Sequence, residues 1–141
     1  MRYALTPVCV ALGALLIGCA IPVFDSAGLP TAKIKLSHPA DICVNGERHA
    51  LVAGADGYAA IPSGRRVHLI SKFSRPSAHC QPWISLVPQL NARYQMYTQP
   101  SHERCWLTLM REDASVPAGV RLDDTAEPFG NSHADLQCPR S

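Results

Sequence analysis

The chain has 141 residues, with 13 Lys and Arg against 11 Asp and Glu, a formal net charge of +2 and 47% hydrophobic residues. That length admits one compact domain behind a leader and is too short for two. The near-neutral balance lacks the strongly basic footprint of a nucleic-acid-binding protein, and no G-x-S-x-G, P-loop or H-E-x-x-H pattern supports a hydrolase, nucleotide or metalloprotease reading.

Residues 1–18 read as a bacterial secretory leader. Arg2 supplies the positive charge, an apolar stretch runs from about Ala4 to Ile17, and small residues close it. The ending Leu16-Ile17-Gly18-Cys19 resembles the lipobox of bacterial lipoproteins. That resemblance implies that the thiol of Cys19 is lipidated, that Cys19 becomes the first mature residue, and that the membrane is reached through its acyl chains. Ala20 after the cysteine, rather than Asp, is similar to lipoproteins sorted to the outer membrane and facing the periplasm. The alternatives are an ordinary cleaved signal or a short transmembrane anchor from Ala4 to about Val23. A spanning helix wants about 20 apolar residues and few breakers, and Pro7, Gly13, Gly18 and Pro22 interrupt this one. Residues 19–31, with two prolines, Gly28 and no periodicity, are expected to be a tether.

From Ala32 onward the pattern has period two, which predicts strands. Ile34 and Leu36 alternate with Lys33 and Lys35. Asn45-Gly46 between apolar runs is a strong hairpin signal, because a type I′ turn needs positive φ at both central positions; it sets Cys43 opposite Arg48. Turns at Asp56-Gly57 and Pro62-Ser63-Gly64 lead to a strand with Val67, Leu69 and Phe73 on one face. Cys80, Ile84 and Leu86 share a parity, as do Ala92, Tyr94 and Met96, and then Cys105, Leu107 and Leu109. Short strands separated by Gly and Pro turns predict an all-β fold, a small antiparallel β-sandwich of immunoglobulin-like or transthyretin-like type over residues 32–111. Residues 112–141 are expected to be an irregular, Pro-containing acidic tail. Between Ala32 and Arg111 ten bases face four acids, whereas from Glu112 six acids face two bases, so the tail can fold back on the body.

Of six cysteines, Cys9 leaves with the leader and Cys19 is taken by lipid. The other four, in an oxidising compartment, imply two disulfides with three connectivities. Cys80 and Cys105 fall on inward faces of alternating strands, which pairs them as a core staple and leaves Cys43 with Cys138 as a tail clamp. A metal site is the alternative, since His79 precedes Cys80 and His102 lies three before Cys105. The nearest of the four cysteines are 25 apart, far from the close ligand pairs of zinc sites, so no metal and no cofactor is expected.

Two stretches carry a second resemblance. "IPSGRRVHLI" is similar to the turn and strand of small periplasmic β-sandwich modules, and "VPQLNARYQMYT" resembles a segment in which a tyrosine after a turn, here Tyr94 after Pro88 and Asn91, closes a sandwich corner. With the lipobox and Cys80 and Cys105, the chain resembles small uncharacterised proteobacterial lipoproteins, a likeness that implies a fold and no activity. The expected function is therefore a non-enzymatic, membrane-anchored envelope module that binds an envelope protein, or alternatively an inhibitor of an envelope hydrolase such as lysozyme. Six scattered histidines provide no paired catalytic spacing, although an enzyme with an unrecognised site stays open. Candidate partner surfaces are Trp83 and Trp106, opposite in parity to the inward aliphatics and so either a joint aromatic patch or residues covered by the tail, and Arg65-Arg66, which could meet anionic lipid phosphates.

Overall fold

The computed structural model describes residues 20–75, 78–100, 105–131 and 137–140. Over these the chain is all β, with two five-stranded sheets packed as a sandwich and a two-stranded ribbon. The leader, Cys19, His102 and His133 lie outside the described residues, and among those described no helix is long and apolar enough to cross a membrane.

The first sheet has the spatial order β12 (Glu127–Asn131), β8 (Pro82–Leu86), β5 (Val67–Ser71), β2 (Ala40–Val44), β3 (Glu47–Leu51), antiparallel throughout. The second has the order β11 (Val120–Leu122), β10 (Cys105–Glu112), β9 (Arg93–Pro100), β1 (Thr31–Leu36), β4 (Tyr58–Pro62). One pair departs from the expected antiparallel pattern: β1 runs parallel to β9, with Ile34 opposite Tyr94 and Leu36 opposite Met96. A parallel neighbour needs a long crossover, and here the intervening chain builds most of the first sheet.

Between the sheets lies the core that the alternation requires. Ile42, Leu69, Ile84 and Leu86 from the first sheet meet Ile34, Ile61, Tyr94, Met96 and Leu109 from the second. The Asn45-Gly46 turn has φ of 54° and 80°, and Cys43 stands opposite Arg48. At the corner before β9, Asn91 takes φ 61°, and the fully buried Tyr94 accepts at its hydroxyl a hydrogen bond from the Gln89 N–H (3.0 Å). Burial raises the pKa of that hydroxyl above its ordinary value.

Several local expectations change. The tail is not irregular throughout, because β11 extends the second sheet and β12 forms an edge of the first. Nor is the tether free: Pro22 to Phe24 lie along β3, and β1 begins at Thr31. Phe73 does not continue the face of Val67 and Leu69, because β5 ends at Ser71 and the chain leaves the sheet after Lys72, whose N–H still bonds the Pro39 carbonyl (2.8 Å). It opens a separate ribbon, β6 (Phe73–Arg75) with β7 (Ala78–Cys80).

The disulfides join Cys43 to Cys138 and Cys80 to Cys105, with Cα separations of 5.4 and 6.1 Å. These are the pairs assigned from strand facing, but their settings are exchanged. Cys80 sits half-buried on the ribbon, so its bridge fastens the ribbon to the start of β10, outside the main core cluster. Cys43 instead forms a second buried cluster with Ile70 and Trp83, against which Cys138 packs. Strands β2, β5 and β8 are therefore buried at every position: sandwich core covers one face, and the returning tail covers the part of the other around Cys43, Ile70 and Trp83.

Candidate functional site

The two tryptophans do not form one patch. Trp83 is 2% exposed on the outer face of the first sheet, beneath Phe129, whose ring lies 6.1 Å away. Trp106 is on β10 in the second sheet and is 53% exposed. The paired arginines also diverge. Arg65 donates to Asn45 Oδ1 (3.3 Å), while Arg66 donates to Ser85 Oγ (2.8 Å) and pairs with Glu127 (3.4 Å). Arg66 thus ties the body to the acidic tail, and the two guanidinium groups do not converge.

The outer face of the second sheet exposes both aromatic and aliphatic side chains. Register places Trp106 opposite Gln99, Thr108 opposite Tyr97, Met110 opposite Gln95 and also opposite Leu122. These side chains share the face that points away from the core, and Trp106, Tyr97 and Leu122 are all exposed. Cross-strand neighbours of this kind stand about 5 Å apart, with diagonal ones at about 7–8 Å, so aromatic and apolar groups form one continuous band.

A polar network braces this band on its β1 and β4 side. The Glu112 carboxylate accepts from Tyr58 Oη (2.5 Å) and Gln95 Nε2 (3.1 Å), and pairs with Arg93 Nε (3.1 Å). The Arg93 guanidinium lies over the Tyr58 ring, 4.1 Å from its centroid, and the Tyr97 hydroxyl donates to Gln95 Oε1. Hydrogen bonds from Tyr58 and then Gln95 hold the Glu112 carboxyl below its ordinary pKa, and Tyr58 with Glu112 raises that of Arg93. A carboxylate held ionised with its oxygens engaged is a fixed acceptor and not a proton donor at neutral pH. The arrangement therefore suits recognition by a rigid, mixed aromatic and polar surface. Where β1 and β9 run side by side, a depression of about 230 Å³ opens, lined by Lys35, Leu36, Ser37, Gln95, Met96 and Tyr97.

Sequence parity finds Trp106 and misses Tyr58, Arg93, Gln95, Tyr97 and Glu112. These residues come from three strands, and no local motif unites them. Among the described residues no group of three or more His, Cys, Asp or Glu side chains could hold a metal ion. No protein-family model, curated protein or solved structure matches this chain at a significant level.

Proposed function

We propose that this chain is a lipid-anchored module of the bacterial cell envelope whose work is to bind a protein partner, not to catalyse a reaction. The observation that carries the reading is the exposed band of Trp106, Tyr97 and Leu122, backed by the Glu112 network. Partially exposed aromatics on a rigid scaffold are the residues that most often dominate protein interfaces. The lipobox resemblance supports the anchor, with Cys19 as the modified residue.

A photo-crosslinking residue in place of Thr108, in the middle of the band, tests the reading in cells. A discrete adduct is expected that is absent when the probe replaces exposed Leu90, and that falls by about tenfold or more in a Trp106→Ala background. Equal labelling from both positions, or none from Thr108, would overturn it. An adduct with a wall hydrolase would turn the reading toward an inhibitor.

A further inference from the structure

The segment following Cys19 does not hang free. Ala50 on β3 donates its N–H to the Pro22 carbonyl (2.8 Å) and accepts at its own carbonyl from the Phe24 N–H (2.9 Å), so that Val23 forms a parallel bridge with Ala50. Phe24 packs against the main core, edge-on to His49 at 5.9 Å. The chain is thus pinned to the body three residues after Cys19. Fully extended, three residues reach about 10 Å.

The bridge also decides which way the side chains face. Paired residues share a face, and facing alternates along a strand. Val23 therefore points with Ala50 away from the core while Phe24 points inward, and Ile21 and Val52 have the outward parity. All three are apolar and open, at 41% for Ile21, 59% for Val23 and 61% for Val52. Asp41, the partner of Ala50 on β2, engages Arg48 and Lys72 at 2.7 and 2.6 Å.

We propose that the edge formed by Ile21, Val23 and Val52 rests on the phospholipid bilayer in which Cys19 is anchored, so that the domain is seated on the membrane and not suspended above it. The inference depends on the lipid-anchor reading. Acyl chains on Cys19 fix that residue at the boundary between headgroups and hydrocarbon, and so short a leash keeps Ile21 and Val23 within the interfacial layer, where apolar side chains insert by about 5–10 Å. Strand β11 lies at the opposite end of its sheet from the β4 edge, and β10 stacks on β8. Leu122 on β11 is thereby far from β3, and the band containing it stays available to a partner.

The test uses the full chain, extracted from membranes and reconstituted into phosphatidylethanolamine and phosphatidylglycerol vesicles, with or without bromine on the upper acyl carbons. Intact mass first reports whether Cys19 is acylated. In acylated protein, bromine should quench the added emission of Val52→Trp by about twofold or more, as an interfacial depth requires, and leave that of Leu122→Trp and the wild type unchanged. Acylated protein with no quenching at Val52→Trp would overturn the seating while the anchor stands. Emission that is blue-shifted but unquenched would mean that protein, such as a second copy, covers the edge, and would also overturn it. Unmodified Cys19 would remove the anchor and the seating with it.

Discussion

Phe129 meets His68 edge-to-face with ring centroids 4.5 Å apart, so a histidine in the middle of the first sheet is closed over by the last strand of the domain. Burial, and then the nearby Arg66 charge, lower the pKa of His68 below its ordinary value. The unfolded chain therefore binds the proton first. Stability attributable to this group is complete above about pH 6.5 and falls as pH drops below that value toward the depressed folded pKa. Thermal unfolding between pH 7.5 and 5 should show a decline that is reduced in His68→Gln. An unchanged pH profile in that variant would remove His68 from the account.

The two disulfides should differ in the direction opposite to the one that strand parity suggests. Cys43→Ala/Cys138→Ala opens a bridge spanning 95 residues that packs on Ile70 and Trp83, with a cost of about 4–5 kcal/mol in the chain-entropy model. Denaturant unfolding should show this loss, together with a red shift of Trp83 emission. Cys80→Ala/Cys105→Ala opens a bridge spanning 25 residues at the ribbon, for about 3–4 kcal/mol, and should leave Trp83 emission in place.

Asp41 is wholly buried on β2, with Arg48 Nε 2.7 Å from Oδ2 and Lys72 Nζ 2.6 Å from Oδ1. The lysine lies off the hydrogen-bonding direction, so that oxygen is satisfied by charge alone. Removing the acceptor strands two cations, each about one third exposed, that can regain only part of their hydration. Asp41→Ala should cost about 3 kcal/mol, and Asp41→Asn somewhat less, by chemical denaturation.

Gly46 couples the first hairpin to the chain end. Its φ is 80°, and a Cβ there would meet the Arg140 side chain at 3.0 Å. Gly46→Ala should cost about 1 kcal/mol through the backbone alone. It should also displace Arg140, visible as faster C-terminal proteolysis than Gly57→Ala, whose Cβ would enter open space.

Strand faces were legible wherever one face met the core and the other met water, as at Ile34 or Tyr94. They were not legible where both faces are buried, because alternation then carries no information: His68, Ile70 and Trp83 have outward parity and are buried all the same. Strand β12 escaped notice because Pro128 and Gly130 are strand breakers. Its place at the sheet edge and the register shift between those residues make them tolerable. In the candidate site Trp106 was readable from its own strand. The Glu112 network was not, since Tyr58, Arg93 and Glu112 meet only after β4, β9 and β10 have taken their places.

The parallel pairing of β1 with β9, and the late arrival of β12 beside β8, set an order of assembly. A chain emerging N-terminus first can form the β2–β3 hairpin at once and pair β1 with β4 soon after, yet the other edge of β1 must wait for residues 93–96 and β8 keeps a bare edge until residue 127 appears. Closure of both layers is therefore a late event of high contact order, slow relative to local hairpin formation. Until then the unpaired strands are open to chaperones, proteases and one another. The amount of this protein that accumulates should therefore depend on how long its half-made form is protected, as well as on how stable the finished one is.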